Sequence, residues 1–78
     1  MRIYDLGNIE IQVWPKDHQP VHCHVFFDGC EIRVFLPDYS VEVVSSKVPR
    51  ASDIREAIKI VKHLRRQIGQ QWRKFHGN

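Results

Sequence analysis

The period of the apolar residues changes once along the 78-residue chain, and that change restricts the folds open to it. Residues 1–46 alternate apolar and polar, as a half-buried strand does, whereas residues 51–75 repeat at three and four, as a helix with one buried face does. No internal repeat, low-complexity tract or linker separates them, and the length leaves room for one core. The two stretches are therefore read as parts of a single domain, residues 1–78. Strands followed by a helix around one core make a two-layer α+β unit. The expected sheet is antiparallel, of about four to five strands built as two hairpins plus a short strand, and one long C-terminal helix covers it.

The turns fix the expected registers. In Leu6-Gly7-Asn8-Ile9, Gly7 tolerates positive φ at the first turn position, so Leu6 faces Ile9 and Tyr4 faces Ile11. Tyr4, Leu6, Ile9, Ile11 and Val13 then share one face, and Ile3, Asp5, Glu10 and Gln12 the other. Asp28-Gly29 is the strongest hairpin signal in the chain, and a two-residue turn there pairs Phe27 with Cys30, Val25 with Ile32, His24 with Arg33 and His22 with Phe35. Cys23, Val25, Phe27, Cys30, Ile32 and Val34 make the core face; His22, His24, Phe26, Glu31, Arg33 and Phe35 make the opposite one. Trp14 to Pro20 is a Pro-bounded loop, and Val41 to Val44 a short last strand.

Ser52 or Asp53 is the expected N-cap of the helix, which ends near Phe75 before Gly77. Ile54, Ala57, Ile58, Val61, Leu64, Ile68, Trp72 and Phe75 form its apolar stripe, with Trp72 as a core anchor and Gly69 as the point where the helix loosens.

Composition excludes some classes of function. Hydrophobic residues are 42% and charged residues 27% of the chain, too apolar for a disordered tail and too polar for a membrane span. No apolar run reaches a signal peptide or a spanning helix, which predicts a cytoplasmic protein with no membrane partner. A core this small gains from a partner, so a homo-oligomer or a complex is in keeping with the length. The net charge of +3 divides unevenly: residues 1–46 carry three basic and seven acidic residues, net −4, and residues 47–78 carry nine basic and two acidic, net +7. The basic half points to an anionic partner (nucleic acid, an acidic membrane surface or an acidic protein) or to a solvated helix face rich in Lys and Arg. Arg55, Lys59, Lys62, Arg66 and Arg73 recur on the side opposite the apolar stripe and are the candidate binding residues.

Cys23 and Cys30 fall too far apart along the hairpin for a disulfide and are expected to be buried thiols. The chemical signal lies in Asp17, His18, His22 and His24, since imidazole both transfers protons near neutral pH and ligates metals. Two histidines two apart on one strand share a face; with His18 and a carboxylate they match the number of donors zinc takes, although no zinc-finger spacing is present. Arg33, directly across from His24, tips the balance: a guanidinium beside the imidazoles favours a bound anion over a dication. No metal ligands and no cofactor are therefore expected. His18, His22, His24 and Arg33 are read as an anion or nucleic-acid patch bordered by Phe26 and Phe35, against the alternatives of a metal site or a merely solvated strand face. His63 and His76 are expected at the surface.

Asp17-His18-Gln19-Pro20-Val21-His22-Cys23-His24-Val25 resembles the D-H-x-P-x-H-x-H-V signature of a family of small bacterial proteins known only as a domain of unknown function. The likeness continues through Asp28-Gly29, the Val48-Pro49-Arg50 approach to the helix and the basic, tryptophan-containing end, with Cys23 where many members carry an aromatic residue. Members of that family are often encoded beside a second small protein in toxin–antitoxin-like pairs, and some have been proposed as the toxin. The resemblance implies a toxin component acting on or binding RNA, with an antitoxin-like small protein as its partner. Were it a ribonuclease, one histidine would serve as base, another as acid, and Arg33 would steady the phosphorane. The competing reading is a non-catalytic interaction module that binds an acidic protein, with a metal ion at the histidines as one variant.

Overall fold

The sheet follows from its turns. The computed structural model describes residues 1–77 and contains strands β1 (Arg2–Leu6), β2 (Ile9–Gln12), β3 (His22–Phe27), β4 (Cys30–Phe35) and β5 (Val41–Val43). They form one antiparallel meander in the order β1-β2-β3-β4-β5. Asp28 and Gly29 both take positive φ, 48° and 73°, as a two-residue turn matched to strand twist requires. The register beyond it is the one expected, from His22 opposite Phe35 to Phe27 opposite Cys30. In the first hairpin Leu6 faces Ile9 and Tyr4 faces Ile11, again as expected, but the register shifts between Arg2 and Tyr4. The extra residue is Ile3, and a one-residue shift moves a side chain to the other face. Ile3 accordingly packs against the core, contrary to its expected outward placement, while Leu6 at the hairpin end is exposed.

Cys23, Val25, Phe27, Cys30, Ile32 and Val34 are all buried in one apolar cluster with Ile11, Val13 and the helical residues Ala57, Val61, Ile68 and Trp72. Each fully buried aliphatic side chain contributes about 1.5–3 kcal/mol, whereas an ion pair as exposed as Arg2–Asp5 is screened by solvent and adds little. The apolar face holds the fold together. Both cysteines are free thiols.

The helical half departs from the single long helix expected. It consists of α1 (Ala51–His63) and α2 (Arg65–His76), joined at Leu64, where φ is −100° and ψ 10°. The Leu64 N–H is shared between the Ile60 and Val61 carbonyls, at 3.0 and 3.1 Å, and the Arg65 guanidinium bonds the Lys62 carbonyl at 3.0 Å. Length explains the bend: a straight helix over residues 51–76 would span about 39 Å, while a six-residue strand spans about 20 Å. Beyond the break, α2 keeps Ile68 and Trp72 buried in the core. Gly69 stays within α2, and the helix ends at Gly77. The start also differs. Arg50, not Ser52 or Asp53, is the N-cap residue, and its carbonyl accepts from the N–H groups of Asp53 and Ile54 while its guanidinium takes the Asp53 carboxylate. No helix among the described residues is long and apolar enough to cross a membrane.

Candidate functional site

His22 and His24 begin β3 and project from the face away from the cysteines, yet both are buried, His24 to 1% exposure. The Pro-bounded loop folds back over them. Trp14 lies flat on the His24 ring, centroids 3.6 Å apart, and its indole N–H donates to Gln12 Oε1. From the other side Trp72 of α2 meets the His22 ring at 5.4 Å, and His76 stacks on Trp72 at 4.2 Å. The bend at Leu64 makes these contacts available, because it carries the end of α2 to the loop. His76 Nε2 lies 2.7 Å from the Asp17 carbonyl oxygen and Nδ1 lies 3.0 Å from the Trp72 carbonyl oxygen.

Carboxylates, not a guanidinium, surround the imidazoles. Asp17 Oδ2 lies 2.8 Å from His24 Nε2 and 3.4 Å from His22 Nε2. Glu31 Oε2 lies 3.3 Å from His24 Nδ1, and His22 Nδ1 donates to the Pro20 carbonyl at 2.8 Å. Arg33 is opposite His24 in the ladder, as expected, but its Nη1 bonds Glu42 of β5 at 2.8 Å and its buried Nε has no acceptor among the described residues. The reason is the neighbouring strand: Glu42 is the direct cross-strand partner of Arg33, and an exposed-side carboxylate holds the guanidinium away from the buried rings. The ground on which a dication was expected to be disfavoured is therefore absent. His18, one residue beyond Asp17, is exposed and outside the cluster. Of the four expected patch residues, the structure brings together His22 and His24 only.

Trp14, Glu31 and His76 complete the cluster and were not among the expected site residues; Asp17 was expected in the polar run as the carboxylate of a metal site, not in the anion patch. Asp17 and Glu31 had a signal: Asp17 stands in the same run as the histidines, and Glu31 on the same strand face as His24. His76, expected at the surface, is half-buried, since its position depends on a bend that no residue type announces.

The basic residues of the helices lie as expected. Arg55, Lys59, Lys62, Arg66 and Arg73 are all exposed. Among the described residues none of the five is in an ion pair; the lysine and arginine ion pairs are those of Arg2, Arg33, Lys47 and Arg50. Lys62 sits over the Tyr39 ring at 5.1 Å. Ser52, Arg55, Glu56, Ile58, Lys59 and Lys62 border a groove of about 420 Å³ that carries one carboxylate among its cations.

Compared with curated proteins and with solved structures, the chain matches none. One protein family matches residues 8–73, which takes in every strand after the first, the histidine cluster except His76, and both helices up to Arg73. The chain belongs to the DUF4160 family, a domain of unknown function.

Proposed function

We propose that this protein is the RNA-binding component of a toxin–antitoxin-type pair, and that it grips RNA through the outer face of α1 and α2. One observation carries the reading: five cationic side chains on that face are exposed and free of ion pairs among the described residues. A helix whose cations serve only solubility commonly pairs them with acidic neighbours three or four positions away. Here α2 has no acidic residue at all, and α1 has two: Asp53, which takes the Arg50 guanidinium, and Glu56, three positions before Lys59 but in no ion pair among the described residues. A polyanion releases counterions when it meets such a face, and affinity follows from that release. Binding, rather than cleavage, is the activity proposed. His22 and His24 are sealed beneath Trp14 and Trp72, so neither reaches a ribose hydroxyl without the loop lifting.

The test is a triple variant, Lys59→Gln, Lys62→Gln and Arg66→Gln, titrated with a labelled single-stranded RNA and with polyglutamate. All three side chains point outward, so the fold and melting temperature should be retained. RNA affinity should drop at least tenfold, and the wild type should bind polyglutamate more weakly than RNA. Equal RNA affinity in the variant, or tighter binding of polyglutamate than of RNA by the wild type, would assign the face to an acidic protein or to solvent.

A further inference from the structure

We propose that Asp17, His22 and His24 form a buried zinc site that pins the loop before β3 to the sheet. One donor atom from each residue lies within 4.8 Å of the other two. With zinc at about 2.0–2.2 Å from nitrogen and oxygen ligands, tetrahedral donor atoms sit about 3.4 Å apart. Asp17 Oδ2 and His22 Nε2 are already at 3.4 Å, and Asp17 Oδ2 and His24 Nε2, at 2.8 Å, need to part by about 0.6 Å. The ion sits between His24 Nε2 and Asp17 Oδ2, in place of their direct contact.

Three further features fit an ion rather than a simple hydrogen-bonded knot. Both rings have their far nitrogen held by an acceptor, the Pro20 carbonyl for His22 and the Glu31 carboxylate for His24, which leaves each Nε2 lone pair for a metal. Metal-bound histidines are held in this way, by a carbonyl or carboxylate on the other nitrogen. Second, Asp17 and Glu31 bring two negative charges against the cluster, while the nearest arginine on that face, Arg33, is bound to Glu42. A dication cancels the two carboxylates when both imidazoles are neutral. Third, the three side chains are 14%, 7% and 1% exposed, and Trp14 and Trp72 flank the rings. Two nitrogens and one oxygen satisfy zinc with a single water added, whereas octahedral ions need more oxygen donors than this pocket offers.

The experiment is elemental analysis of the full chain purified without an affinity tag, followed by chelation and titration with Zn²⁺ and Co²⁺. One zinc per chain is expected. The Co²⁺ form should show the intense visible bands of tetrahedral cobalt, and chelation should lower the melting temperature. Asp17→Asn keeps the shape of the side chain and should weaken zinc at least tenfold; Glu31→Gln should weaken it about 10- to 100-fold through His24. His22→Ala should abolish binding, and if that variant fails to fold, the Asp17→Asn and Glu31→Gln titrations decide. His63→Ala, an exposed histidine of α1, should bind as the wild type does. Absence of stoichiometric metal together with no saturable binding of either ion would overturn the site. So would unchanged affinity in Asp17→Asn, or an equal loss in His63→Ala.

Discussion

Single residues show how one environment suppresses chemistry and another collects it. Burial pushes the Cys23 thiol up from 9.0 to about 12, because a thiolate in the apolar face would be desolvated with no compensating charge. Between these values the folded chain keeps a proton that the unfolded chain has released, so the unfolded state binds fewer protons and stability falls as pH rises. The expected slope is about 1.4 kcal/mol per pH unit at most. Urea melts of the wild type and Cys23→Ala from pH 8 to 11 check this: the variant should start less stable and lose less with pH. Parallel curves would mean that the thiol ionises freely. The cysteine faces were legible because turn position alone decides them. Arg33 was not, because alternation places a side chain on a face but does not say which neighbour it bonds, and Glu42 became adjacent only once β5 joined β4.

At the scale of elements, the two glycines Gly29 and Gly69 separate turn from helix. Gly29 has φ of 73° in the hairpin turn, so Gly29→Ala should cost about 1 kcal/mol even though a Cβ there has room. Gly69 lies inside α2 at ordinary helical φ, and a Cβ would meet only the Arg73 guanidinium tip at 3.4 Å. That tip swings away easily, so Gly69→Ala should add about 0.5–1 kcal/mol. Thermal denaturation of the two variants should therefore move in opposite directions; a destabilised Gly69→Ala would show that the Arg73 guanidinium cannot give way to a methyl group there. Turn dipeptides and the stripe of apolar residues made both hairpins and the helical half readable. The break at Leu64 was not readable, since leucine is a good helix former and the bend arises from fitting a long helix to a short sheet. The same fit explains why the histidine face was expected to be open: alternation gives sides of a sheet, while Trp14 and α2, which close that side, arrive from elsewhere in the chain.

At the scale of the whole molecule, charge and chemistry are segregated. The carboxylate-rich sheet half supplies the acidic groups around the histidines, and the +7 half turns most of its cations to solvent. RNA affinity, on this account, belongs to the helices and is independent of metal at Asp17. The most direct test is the salt dependence of binding to single-stranded RNA. If Arg55, Lys59, Lys62, Arg66 and Arg73 each neutralise one phosphate, log K should fall against log salt with a slope of about −3.5, at about 0.7 per contact. The triple variant at Lys59, Lys62 and Arg66 should bring the slope to about −1.4. A wild-type slope near zero, or one that the triple substitution leaves unchanged, would contradict RNA binding by this face.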